Sequence, residues 1–241
     1  MTNPLNKFIV IFGLFILINF SANAKNKVSF EKGLALNAGG IKHLDVDVGS
    51  GSLKIKGADV NEIIVEATIE SKAYSDLLEL QEAFEDKMIF SLEGSGSKAT
   101  LKAVNKKTFN FKSPNIQVNL DVTVPNTIDL FIDDGSGSMK VYDINGQVEI
   151  DDGSGSMVLE NIIGDVLIDD GSGSLKVSGV DGNVIIDDGS GSMELKNILG
   201  DLTVDDGSGS INVDDLSGTF KLIDGGSGKV YVNGQKWTED N

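Results

Sequence analysis

The chain has 241 residues, 40% of them hydrophobic, which is enough to fill a folded core and argues against wholesale disorder. It contains neither Cys nor Arg, so thiolate chemistry, disulfides and guanidinium clamps for phosphate or carboxylate are excluded. The formal net charge of -17 opposes nucleic-acid binding, because phosphate contacts need a concentrated positive surface.

The N-terminus has the pattern of an export signal. A lysine precedes an apolar run over residues 8–20, and Ala22 and Ala24 then form a small-x-small cleavage site. A membrane anchor is the alternative, but the run is interrupted by Gly13 and falls short of the ~20 residues that span a bilayer. Residues 1–24 are therefore predicted to be a signal peptide. The mature chain is expected in the periplasm, at the cell surface or outside the cell, with no transmembrane span.

Residues 25–126 are predicted to form an irregular β-rich part that caps the remainder. A Gly-Ser-Gly-Ser motif within residues 48–55 indicates a first rung or a related hairpin, and residues 115–124 alternate as a strand does. Residues 75–86 are the one convincing helical stretch, with Ser75 as its N-cap and an apolar stripe facing the sheet. The stripe consists of Leu77, Leu78, Gln81 and Phe84.

An 18-residue repeat dominates residues 127–234. Its marker is Asp-Asp-Gly-Ser-Gly-Ser, which begins at Asp133, Asp151, Asp169, Asp187 and Asp205. Counted from the first Asp, places seven and nine are apolar around a mostly polar place eight, and places sixteen and eighteen are apolar again. This period-two pattern predicts two short strands separated by two turns in each repeat.

Such a unit cannot bury its apolar face alone, but stacked copies share one continuous core. The predicted fold is therefore all-β: a parallel, right-handed β-helix-like β-solenoid of 18-residue rungs, with a smaller irregular N-terminal part that carries one short helix. An antiparallel meander or sandwich is the alternative. A hexapeptide helix is disfavoured because Ser138 and its equivalents stand where an aliphatic residue is needed. A degenerate last turn near Trp237 predicts a terminal cap, and residues 235–241 a tail.

The order of these features resembles the bacterial putative-adhesin family of β-strand repeat proteins. The likeness rests on the Gly-Ser-Gly-Ser hairpin at Val48 to Ile55, the Val-x-Val-Pro-Asn entry at Val122 to Asn126, and the stacked repeats. It covers most of residues 40–234, and it implies a solenoid fold and a cell-envelope location. The doubled Asp departs from the Ser-Gly-Asp type of turn that is usual in that family.

Stacking would align the paired aspartates in two columns. These residues are Asp133, Asp134, Asp151, Asp152, Asp169, Asp170, Asp187, Asp188, Asp205 and Asp206. Carboxylates at the ~4.8 Å spacing of strands repel by roughly 1 kcal/mol in water and by more in a lower dielectric. Amide capping by the following turn, retained protons, or cations between rungs would relieve the repulsion. Because oxygen ligands in Gly-rich turns suit Ca²⁺, the ten aspartates are the candidate metal site.

The charge distribution and the repeat together predict the function. Residues 133–241 hold 6 Lys against 22 acidic residues, which gives this part a net charge of -16. The leading hypothesis is an exported cell-envelope adhesin-like structural or binding module with an acidic repetitive face. Its partner would be an envelope polymer, a cell-surface ligand or another copy of the chain. A contact patch for a partner is predicted at Val158, Ile163, Leu167, Ile185 and Leu199.

Other functions fit the pattern less well. A Ca²⁺-stabilised acidic array and a self-assembling envelope scaffold are the alternatives. A polysaccharide-active β-helix enzyme is more distant, because acid–base catalysis on sugars needs two carboxylates in different environments. Near-identical rungs give every Asp pair the same surroundings. The chain is therefore predicted not to be an enzyme.

Overall fold

The computed structural model describes residues 27–106 and 115–238, so the predicted signal peptide at 1–24 lies outside the described residues. The N-terminal part contains six strands and a helix. They are β1 (Val28–Asn37), β2 (His43–Ala58), β3 (Glu62–Ser71), α1 (Leu77–Lys87), β4 (Met88–Ser95), β5 (Lys98–Asn105) and β6 (Gln117–Pro125). No helix in the described part is long and apolar enough to cross a membrane.

The repeats form two parallel columns of strands. One long strand, β7 (Asp129–Ile144), enters both columns. The short-strand column continues with β8 (Val148–Asp152), β10 (Val166–Asp170), β12 (Val184–Asp188), β14 (Leu202–Asp206) and β16 (Phe220–Leu222). The long-strand column continues with β9 (Gly155–Ile163), β11 (Gly173–Asp181), β13 (Gly191–Ile198), β15 (Gly209–Leu216) and β17 (Lys229–Val232).

Strand residues of successive rungs pair with their equivalents 18 positions away, except in the last pair, β15 with β17, where the offset is 19. Asp169, for example, lies opposite Asp151 on one side and Asp187 on the other. The inward side chains of successive rungs therefore stack into one core, in which Val177 and Val184 are fully buried. The predicted parallel solenoid of 18-residue rungs is confirmed.

Strand β2 is the first rung of the stack. It runs parallel to β7 over nearly its whole length, with Asp47 opposite Asp133 and Gly51 opposite Gly137. Its other edge is covered by β5 along the first half and by β6 along the second half. The antiparallel pairs β4–β5, β3–β6 and β1–β3 extend the sheet further. One continuous sheet thus crosses the boundary predicted at residue 126.

The helix lies where it was predicted, but its N-cap is not the predicted Ser75. Asp76 is the N-cap, because its Oδ1 accepts the amide of Glu79 at 2.9 Å. Ser75 instead donates its hydroxyl to Glu79 Oε2 at 2.8 Å. The helix packs on the sheet through Phe84, whose ring meets that of Phe30 edge-on at 5.5 Å. Of the other predicted stripe residues, Leu78 is exposed, and Leu77 and Gln81 are half-buried.

A small hairpin closes the C-terminal end of the stack. Strand β18 (Gln235–Lys236) pairs antiparallel with β17, and the Trp237 amide donates to the Val230 carbonyl at 2.9 Å. The Trp237 ring packs edge-on against Phe220 at 5.7 Å. The predicted cap is present, and it includes the first residues of the segment predicted to be a tail.

Candidate functional site: two aspartate columns

Strand alternation sends the two aspartates of each repeat to opposite sides of the sheet. In β10, Val166, Ile168 and Asp170 are buried, whereas Leu167 and Asp169 are exposed. The outward column consists of Asp133, Asp151, Asp169, Asp187 and Asp205. The inward column consists of Asp134, Asp152, Asp170, Asp188 and Asp206. The structure thus aligns all ten predicted residues in register, but as two separate features.

The inward column is buried, and most of its carboxyl groups have a hydrogen-bond partner for only one of their two oxygens. Its five side chains are only 0–3% exposed. In every rung one oxygen, Oδ1, accepts the amide of the Ser two residues later at 2.9–3.1 Å, which is the predicted amide capping. The second oxygen, Oδ2, is buried without a hydrogen-bond partner in Asp152, Asp170, Asp188 and Asp206. A buried acceptor without a donor is costly, and this cost recurs at four of the five inward aspartates.

Burial raises the pKa of all five inward carboxyls. It is the largest cause in each case, and it brings the pKa of Asp134 and of Asp188 to about 6. Neighbouring carboxylates raise these values further, whereas the Ser amide lowers them because it favours the charged form. Desolvation thus outweighs the like-charge repulsion expected from the stacked sequence.

The first four aspartates of the outward column, Asp133 to Asp187, line a groove of about 670 Å³ on the outer face of the short-strand column. Seven acidic residues and one lysine line it, together with the apolar side chains of Phe131, Leu167 and Ile185. Within residues 27–106 and 115–238, none of the five outward aspartates forms an ion pair. The groove therefore presents a row of uncompensated carboxylates beside a row of apolar groups.

The first rung shows how a cation meets this column. Asp47 continues the outward column one rung before Asp133, and Lys102 of β5 lies directly opposite it in the ladder. The Lys102 ammonium is 3.3 Å from the Asp47 carboxylate, and Lys98, which lies opposite His43, forms an ion pair with Asp45. Sequence reasoning missed these pairs, since only the fold reveals that β5 covers the edge of β2.

The outer face of the long-strand column is different. There Lys176 pairs with Glu194 at 2.8 Å, and Lys196 lies 3.7 Å from Asp214. Glu194 and Asp214 of this face are thus partnered from rung to rung, as is usual for charged residues on a sheet surface, whereas Glu160 forms no ion pair with a described residue. The charge excess is concentrated on the short-strand face.

The predicted contact patch is not one surface. Leu167 and Ile185 lie in the groove beside the outward column. Ile163 and Leu199 line a second groove of about 520 Å³ at the opposite turn of the rungs. Val158 lies on the long-strand face, between Lys140 and Lys176. A single apolar patch is therefore wrong, because these five residues point in three directions.

The structure leaves the predicted Ca²⁺ ladder as a prediction. In the described ranges, no group of three or more His, Cys, Asp or Glu side chains is arranged to hold a metal ion. Because the two columns face opposite sides, the ten aspartates cannot share one set of cations. A cation would have to bind the outward or the inward column alone.

No protein-family model and no curated protein matches the chain. The chain is similar to a solved structure from Clostridium sporogenes described as a "putative cell adhesion protein", with 14% identity and a TM-score of 0.36 over 80% of this chain and 97% of that one. It is also similar to a "putative lipid binding protein" from Parabacteroides distasonis, with 14% identity and a TM-score of 0.42 over 84% and 96%. The likeness to the adhesin family therefore remains a resemblance.

Proposed function

We propose that the chain is an exported, adhesin-like binding module of the cell envelope. Its outward column would bind a repetitive, positively charged partner, such as an amine-bearing envelope polymer or cell-surface ligand. The observation that carries this proposal is the uncompensated row of five outward aspartates, which follow one another rung by rung and of which the first four line a groove. Export rests on the signal-peptide pattern of residues 1–24.

Repetition is what would make this face a binding site. One exposed ion pair contributes only roughly 0.2–1 kcal/mol, so a single outward Asp would bind a cationic group too weakly to retain it. Five in register, at the ~4.8 Å spacing of parallel strands, can engage several cations of one polymer at once. The Lys102–Asp47 contact within the chain shows that an ammonium fits this column. Leu167 and Ile185 would add apolar contact beside the charges.

The proposed role is binding rather than catalysis. Asp151, Asp169 and Asp187 each lie between two equivalent aspartates in the ladder, so no pair of them is set apart as acid and base. Self-association into an envelope scaffold would use the same acidic face against a basic surface of a second copy. It is one outcome of the test below.

The test compares binding of variants to poly-L-lysine and to isolated envelopes of the producing cell. The triple variant Asp151→Asn, Asp169→Asn, Asp187→Asn removes three outward charges. The control Glu160→Gln, Glu194→Gln, Asp214→Asn removes three charges from the long-strand face. We expect the outward triple variant to weaken binding by about tenfold, in a salt-sensitive way, and the control to change it by less than about twofold.

Equal losses in the two triple variants would show that net charge alone matters, and the site would be wrong. Sedimentation of the wild type alone would detect self-association. Fractionation of the producing cell tests export separately. The full chain is expected in the envelope or medium, and a chain that lacks residues 1–24 is expected in the cytoplasm.

A further inference from the structure

The stacked rungs form a rod, and its interior contains five carboxyl groups that face no cation of the described part of the chain. The charged groups that act on the inward column are all carboxylates: the outward Asp of the same rung, the inward neighbours, and Asp224 at the C-terminal end. At the N-terminal end, the column position is taken by Val48 of β2. Across the interior, the inward residues of the long strands are apolar, as Met157 and Val177 show. Residues 27–106 and 115–238 thus supply no positive charge to this column.

Four of the inward carboxyl groups have an oxygen that lacks a hydrogen-bond donor. Asp152, Asp170, Asp188 and Asp206 each have one oxygen on a Ser amide and the other buried without a partner. An ionised carboxylate in this setting keeps its full charge with half of its hydrogen-bonding capacity unused, which is strongly unfavourable out of water. A carboxylic acid keeps the Ser contact and has no charge to solvate.

A metal ion fits these surroundings poorly. Ca²⁺ takes six to eight oxygen ligands, whereas a gap between two rungs offers carboxyl groups from two residues only. In the part of the chain that the structure describes, no three acidic side chains converge on one point. The unpartnered oxygens are also closed to solvent, so water cannot complete a coordination shell.

We propose that the inward column is a proton-binding column, whose carboxyl groups stay neutral in mildly acidic solution and whose ionisation loosens the rod. This inference does not depend on the proposed binding function. The raised pKa of the inward carboxyls, to about 6 for Asp134 and Asp188, agrees with it. Because neighbouring groups interact, the column releases its protons over a range of pH rather than in one step.

The direction of the pH effect follows from proton counts. An unfolded Asp ionises near pH 3.9, whereas Asp134 and Asp188 of the folded chain hold protons up to about pH 6. The pKa of the other three inward carboxyls is raised in the same direction. Between these values the folded state binds more protons than the unfolded state, so stability falls as pH rises. Below about pH 4 both states are protonated, and the penalty is absent.

Substituting asparagine at the inward positions removes the ionisable proton but nearly keeps the shape of the side chain. An Asn oxygen can still accept the Ser amide, but the side chain cannot ionise. Val48 shows that a neutral side chain at this place stacks in register, since it lies opposite Asp134. The double variant Asp170→Asn, Asp188→Asn is therefore expected to fold. The matched control is Asp169→Asn, Asp187→Asn, which removes the same charge from the outer face of the same strands.

The experiment is thermal unfolding between pH 4 and pH 8, with proton release on unfolding measured at about pH 5. We expect the wild type to lose several degrees of melting temperature as pH rises and to release protons when it unfolds. The inward variant should lose much of this pH dependence, and the outward control should lose less. An inward variant with the wild-type slope, or a wild type that takes up protons on unfolding at pH 5, would overturn the proposal. So would a melting temperature at pH 7.5 that Ca²⁺ raises and chelator lowers in the wild type but not in the inward variant, since the column would then hold metal.

Discussion

Replacing a glycine of the stacked rungs by alanine should destabilise the protein. The loss of stability should depend on the space that is available for the added Cβ atom. A Cβ at Gly173 would lie 1.6 Å from the Gly155 carbonyl oxygen of the preceding rung. A Cβ at Gly171 would lie 2.5 Å from the corresponding oxygen of Gly153. At Gly49, the equivalent place of the first rung, the nearest atom would be an oxygen of β5 at 3.8 Å. The three sites thus form a graded series.

The distances set the expected magnitudes. Ordinary contact begins at 3.4 Å, so the backbone must move by about 0.9 Å for Gly171→Ala and by about 1.8 Å for Gly173→Ala. The smaller shift is typical of overpacking and should cost about 1–3 kcal/mol. The larger one would pull apart the nearby hydrogen bond from the Gly155 amide to the Ser172 carbonyl, now 2.9 Å. With that loss, Gly173→Ala should cost about 4 kcal/mol or more, whereas Gly49→Ala should change stability by less than about 0.5 kcal/mol.

Thermal unfolding followed by circular dichroism measures this series. One kcal/mol corresponds to about 2–4 °C in a chain of this size, so Gly171→Ala should melt about 5 °C below the wild type. Gly173→Ala should melt at least about 10 °C below it. Hydrogen exchange would show whether the loss is confined to the two rungs that the substitution forces apart. Similar melting temperatures for Gly49→Ala and Gly173→Ala would refute the stacking argument.

Two further substitutions test the turn and the cap. Asn197 has a φ of 55°, so Asn197→Ala should cost about 1 kcal/mol, whereas Asn197→Gly should be nearly neutral; equal melting temperatures would mean that this backbone angle is unimportant. Trp237→Ala removes the ring that covers Phe220, and it should lower the melting temperature by a few degrees and increase light scattering on heating. Unchanged scattering would show that the open end of the stack does not promote association.

The register of the repeats could be predicted because identical motifs at a fixed spacing can stack in one way. The strict period places Asp151 opposite Asp169, as the structure confirms. The direction of the second Asp was also present in the sequence, since Val166, Ile168 and Asp170 share one parity. It was missed because the acidic motif was interpreted as a turn, whereas β10 continues through Asp170. The second Asp was not recognised as an interior residue because it is polar, although the alternation of the strand places it on the buried side.

Other features had weaker signals or none. Place eleven of the repeats reads Asp143, Asn161, Gly179, Asn197 and Asp215, all with a φ of 54–70°. These residue types tolerate the left-handed region, so the turn could have been predicted from that column of letters. The pairing of β2 with β7 across a long insertion has no periodic signal, and only the shared Gly-Ser-Gly-Ser motif pointed to it. The position of Lys102 over Asp47 depends on that pairing, and it could not be predicted without the fold.

The two columns influence each other, and this links the two proposals. In the inward column, the outward carboxylate of the same rung helps to raise the pKa, as Asp187 does for Asp188. A cationic partner on the outward column would offset this repulsion and lower the inward pKa values, so binding should release protons. By linkage, a rise in pH through about 6 should then tighten binding. The variant Asp170→Asn, Asp188→Asn should keep its affinity for poly-L-lysine but lose much of this pH dependence. If its binding changes with pH as the wild type's does, the columns act independently, and the link between them is wrong.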